Sequence, residues 1–212
     1  MGIEAEQETY KNHEIAIKYE DSPENPREWD NLCEFHHWHR NYDLGDVYHT
    51  DTESVEEMLA EAKRQGDIVM PLYCYEHSGI TISLNSFYGK LPQGHYEFDS
   101  GQVGFVIIRR KKMLEEFGKK TFTAKLKKRA REIAEAEVEV FNNYLQGNVY
   151  GYIVDYDGES CWGFYSIDEA IEEAKSTIDY IVKQERKSHF EQLKIWIRNK
   201  VPFQYRISTT VV

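Results

Sequence analysis

Two places in this 212-residue chain gather side chains able to do chemistry. The first is Cys33-Glu34-Phe35-His36-His37-Trp38-His39, with Asp43 and Asp46 close behind. Imidazole, thiolate and carboxylate are the ligands of zinc and similar divalent ions. If this segment is helical, His36 and His39 share a face and Asp43 follows one turn later, so His36, His39 and Asp43 are the candidate metal ligands. The spacing matches neither HExxH nor paired CxxC, however. The structural alternative is that His39 and Asp43 hydrogen-bond to brace a turn at Leu44-Gly45-Asp46, with Phe35 and Trp38 packed in the core.

The second place is Pro71 to Ile108, where His77 and Ser78 stand at one strand junction and Asp99 and Ser100 at another. A nucleophile there needs a base and an orienting acid, for which His77 and Asp99 are the candidates. Ser78 lies in no GxSxG elbow, Cys161 has no recognised hydrolase context, and Cys74 falls inside a predicted strand as a small core residue. The run Asp99-Ser100-Gly101-Gln102-Val103-Gly104 lacks GxGxxG spacing and a following helix, which argues against a phosphate loop. The leading expectation is therefore no catalytic residue and no cofactor. The alternative is a metal-dependent hydrolase or nuclease whose site unites His39, Asp43, Asp46, His77 and Asp99. His77 itself is expected to fix the hairpin's exit through Asp99.

The formal net charge is -11 and the pI about 5.2, which argues against a simple basic nucleic-acid binder. The charge is uneven. Residues 1–62 carry 17 acids against 4 bases, a net of -13, whereas residues 109–131 carry 11 bases against 2 acids, a net of +9. Lys125, Lys127, Lys128, Arg129 and Arg131 are the candidate binding residues, and 109–131 the candidate nucleic-acid surface. The acidic third could instead mimic nucleic acid towards a host protein. Three cysteines without a CxxC leave one unpaired in any disulfide scheme, so reduced thiols in a cytoplasm are expected. No apolar run approaches the roughly 20 residues that span a bilayer, and the acidic start is wrong for a secretory signal.

These side chains need elements to position them. Residues 13–19 alternate as a strand, and Leu72–Tyr75, Ile80–Leu84 and Val103–Ile108 read as three strands of one sheet, the first two joined by a turn at Glu76-His77-Ser78-Gly79. A helix is predicted from Thr52, capped by Thr52 or Ser54, to Gly66. A short helix over 111–117 precedes a long one from about Thr123 to Leu145, whose basic first half and acidic second half oppose the helix dipole. A second hairpin flanks Asp155-Tyr156-Asp157-Gly158-Glu159. Ser166 opens a further helical pattern, with an expected break, towards Pro202, and Phe203–Ile207 is a candidate edge strand. Together these predict a single α+β domain over 1–212, with a mixed or antiparallel sheet and hairpins packed on three main helices, and a flexible acidic N-terminus over 1–12.

Trp29-Asp30-Asn31-Leu32, the run His39-Arg40-Asn41-Tyr42-Asp43-Leu44-Gly45-Asp46, and Pro71-Leu72-Tyr73-Cys74-Tyr75-Glu76-His77-Ser78-Gly79-Ile80 recur in order with Asp99–Gly104, Val149–Tyr152 and Ser160–Phe164. This arrangement, spanning about Trp29 to Tyr165, resembles a family of phage- and prophage-encoded accessory proteins of bacteria. Glu76 stands where that family has aspartate, and the histidine-rich 34–38 is peculiar to this chain. The resemblance implies a non-enzymatic protein in the bacterial host's cytoplasm. It would bind a host protein or protein–nucleic acid complex, as an inhibitor of a defence nuclease or of a CRISPR or restriction system.

Overall fold

The computed structural model describes residues 3–91, 95–155 and 158–200. It is α+β, with two mostly antiparallel sheets where one was expected, each sheet belonging to its own compact unit of the chain. The candidate edge strand Phe203–Ile207 and the turn residues Tyr156 and Asp157 lie outside the described residues.

One unit comprises the described residues of 1–21 and 150–212. Its antiparallel sheet has the order β1 (Glu4–Tyr10), β2 (His13–Tyr19), β8 (Tyr150–Val154), β9 (Ser160–Phe164). Ile15 and Ile17 alternate inward from β2 and meet Tyr152, Val154, Ala170, Ile171, Ala174 and Ile178, the last four from helix α5 (Ile167–Lys200). Within the acidic segment expected to be a flexible tail, Glu4–Tyr10 forms strand β1. Its carboxylates alternate on β1, an edge strand, where charged side chains discourage pairing with other chains. The predicted break in α5 is absent. Beyond Ile178 the helix fully buries no residue among those described, although Val182 still packs against the same core.

The other unit, 22–149, carries a five-stranded sheet ordered β4 (Val47–Tyr48), β3 (Cys33–His37), β7 (Ser100–Ile108), β5 (Ile68–Glu76), β6 (Ile80–Ser83). All neighbours are antiparallel except β3 and β4. Helix α1 (Thr52–Gln65) starts at Asp51, whose carboxylate accepts from the Ser54 amide at 2.8 Å, so Asp51 is the cap rather than Thr52 or Ser54. It ends at Gly66 with φ 70°. After the single-turn α2 (His95–Asp99) and α3 (Arg110–Glu116), the long α4 (Ala124–Leu145) buries Leu126, Ala130, Ala134, Val138 and Phe141 with Phe35, Leu72, Val106 and Ile108 of the sheet. No helix among the described residues is long and apolar enough to cross a membrane.

Candidate functional sites

The histidine-rich segment is strand β3, not a helix, so successive side chains point to opposite faces and the expected metal set separates. His36 Nδ1 lies 2.9 Å from His49 Nε2, His49 Nδ1 lies 2.9 Å from Ser54 Oγ, and His36 Nε2 faces Glu34 at 3.5 Å. The Ser54 hydroxyl donates to the Asp51 carbonyl at 3.0 Å, so this chain of rings ties β3 to the start of α1. Asp43 pairs with His37 at 3.2 Å, not with His39. The bonds of His39 lie outside the Leu44-Gly45-Asp46 turn that it was expected to brace: its Nδ1 accepts from the Asn41 and Tyr42 amides, and its Nε2 reaches Glu76 at 3.4 Å.

Asp46 is structural as well. It accepts from Arg27 Nε at 3.1 Å and Nη2 at 2.6 Å, and from the Phe35 amide at 2.7 Å. Arg27 also donates to Glu137 at 3.1 Å and to the Cys33 carbonyl at 2.7 Å, with its guanidinium 3.9 Å from the centre of the Phe35 ring. Glu137 in turn accepts from the Leu32 amide at 2.8 Å. This accounts for one of the carboxylates that oppose the α4 dipole: Glu137 is held by tertiary bonds worth more than the few tenths of a kcal/mol that the dipole costs.

Of the five residues of the hydrolase alternative, only His77 and Asp99 come together. The pairing of Tyr75 with Ser100 between β5 and β7 sets the following turn beside the preceding residue, and His77 Nδ1 lies 3.2 Å from Asp99 Oδ2. The turn is closed by the His77 amide donating to the Gly79 carbonyl at 3.0 Å, with Ser78 at φ 57°. The residue that the sequence reading missed is His95. It lies one turn before Asp99 on α2, with Nδ1 3.6 Å from the same carboxylate oxygen and 3.1 Å from the Tyr75 hydroxyl. Its i, i+4 spacing from Asp99 was the available signal. Among the described residues, His77, His95 and Asp99 are the group in which three ligand atoms lie within 4.8 Å of one another.

The two buried thiols, Cys33 and Cys74, offer little nucleophilic character. Burial, reinforced by Glu137, pushes the Cys33 thiol far above its ordinary value, and burial raises Cys74 to about 11.

On α4 the five candidate cations Lys125, Lys127, Lys128, Arg129 and Arg131 are all exposed, as are Lys119 and Lys120 just before it. Lys119, Lys120, Lys125, Lys128 and Arg129 edge an open groove at the helix start, together with Phe117 and Leu126. The α3 end of the basic run is already engaged: Arg109 binds Glu34 and Asp67, and Lys112 binds Asp30.

The histidine chain predicts a two-stage acid response. Burial holds His37 and His49 below the ordinary histidine value of 6.5, so the folded state favours their neutral form. The hydrogen bond from His36, then Arg109, holds Glu34 down at about 2 against an ordinary 4.5. Each folded value is depressed, so the unfolded chain binds more protons and stability falls with falling pH in both windows. Thermal melts should show a first loss below about pH 6.5 and a second between about pH 4.5 and 2. His49→Gln should flatten the first limb and Glu34→Gln the second. Limbs unchanged in these variants would refute the assignment.

No family model, curated protein or solved structure matches this chain.

Proposed function

We propose that this is a non-enzymatic accessory protein that binds the phosphate backbone of nucleic acid, free or within a host protein complex, through the basic start of α4. One observation carries the reading. Lys119, Lys120, Lys125, Lys127 and Arg131 are exposed and enter no ion pair among the described residues, and Lys128 and Arg129 face only Glu132 at 3.8 and 3.5 Å. A chain with a net charge of -11 has acids to spare, yet this surface keeps its positive field unneutralised. The first turn of α4 contains no acidic residue, so its backbone amides add to that field. The resemblance to phage accessory proteins supports the same reading, with a host defence complex as the setting.

The test is fluorescence anisotropy of labelled single- and double-stranded oligonucleotides against salt, comparing wild type with a variant carrying glutamine at Lys125, Lys127, Lys128, Arg129 and Arg131. Each phosphate contact removed should shallow the plot of log affinity against log salt by about 0.9 for duplex and about 0.7 for single strands. The melting temperature should hold or rise, because these cations oppose the helix dipole. Wild-type protein without salt-sensitive binding to either oligonucleotide would end this reading.

A further inference from the structure

We propose that His77, His95 and Asp99 form a binding site for one divalent transition-metal cation of the zinc class. This site shares no residue with the basic face of α4 and stands or falls independently of it. The separations fit the ion. Four-coordinate zinc with bonds of about 2.0–2.1 Å has ligand atoms about 3.4 Å apart. The two histidine Nδ1 atoms lie 3.2 and 3.6 Å from Asp99 Oδ2, either side of that value.

The donor set selects the metal. Two imidazoles and one carboxylate suit zinc, cobalt, nickel or iron, whereas calcium and magnesium take oxygen ligands. The side chains are 51%, 32% and 31% exposed for His77, His95 and Asp99, which leaves a coordination position open to water, unlike a closed structural site. The surroundings hold the ligands in place. Asp99 leads directly into β7, the turn around His77 is closed by a backbone hydrogen bond, and the Tyr75 ring stacks on His77 at 6.0 Å and 13°.

The His77 and His95 rings have centroids 4.5 Å apart and both face the same Asp99 oxygen, so a single cation between the three groups would use every ligand.

The experiment uses the full chain stripped with chelator and titrated with Co²⁺, followed by absorption spectroscopy, and with Zn²⁺, followed by calorimetry. One ion per chain is expected, with visible cobalt bands that zinc displaces. His95→Gln and Asp99→Asn should each weaken binding by about 100-fold or more, and His49→Gln should leave it unchanged. Circular dichroism of the metal-free variants checks that they fold; should Asp99→Asn fail to fold, His95→Gln on its single-turn helix carries the test. Equal binding in wild type and His95→Gln, or loss on His49→Gln alone, overturns the proposal.

Discussion

Arg27→Ala is expected to cost about 3–5 kcal/mol of stability, the range for breaking a buried ion pair by removing one partner. The Arg27 side chain is only 5% exposed and lies between two carboxylates, Asp46 at 27% and Glu137 at 14%. Its removal strands both negative charges, frees the Cys33 carbonyl, and takes the guanidinium off the Phe35 ring. Arg27→Lys should recover only part of the loss, because an ammonium cannot reproduce the two-nitrogen grip on Asp46. Urea unfolding followed by tryptophan fluorescence measures both variants. A loss under about 1 kcal/mol for Arg27→Ala would mean that the network is solvated and that Asp46 is free for another role.

That network also shows where the sequence stops being legible. Strands with plain alternation or turn punctuation were readable: His13–Tyr19, the hairpin around His77, and the run ending at Ile108 all form as expected, and α4 begins after Thr123 and ends at Leu145. Helices were readable because their apolar stripes and caps are local. Strand β3 was not, because it is buried on both faces, so Cys33 to His37 shows no alternation to distinguish it from a helix. Its histidines face partners 6 and 13 residues away, His37 to Asp43 and His36 to His49, and the partners of Asp46 and Glu137 lie in Arg27, 19 and 110 residues distant. Such pairs leave no local trace. Strand β1 was hidden for a different reason: an edge strand needs few apolar residues, and Glu4 to Tyr10 reads as a solvated tail. The cluster around Asp99 was half legible. His77 and Asp99 were drawn together by their positions at strand junctions, whereas His95 needed the single-turn α2 to bring it round.

Gly104→Ala should cost about 3 kcal/mol or more, while Gly101→Ala, three residues earlier in the same motif, should change stability by under about 0.5 kcal/mol. Asp99-Ser100-Gly101-Gln102-Val103-Gly104 carries two glycines, and in a phosphate loop both would serve a ligand. In the sheet their settings differ. A Cβ on Gly104 would stand 2.1 Å from the His36 carbonyl oxygen and 3.1 Å from the His37 Cα, whereas a Cβ on Gly101 meets nothing within 4 Å. The atoms in the way belong to the backbone of β3, which cannot swing aside as a side chain would. Gly104 sits opposite His37 in the β3–β7 ladder and opposite Leu72 in β5, next to the register shift at Leu72/Tyr73. Making room therefore means parting β3 from β7, at about 1 kcal/mol for each ladder hydrogen bond lost on top of the overpacking cost of about 1–3 kcal/mol. The displaced strand would also pull His36 from His49 and loosen its tie to α1. Denaturant midpoints for the two variants, compared with wild type, give the contrast directly. Equal losses at the two positions would mean that β3 is free to move, and that the motif's glycines answer to something other than strand packing.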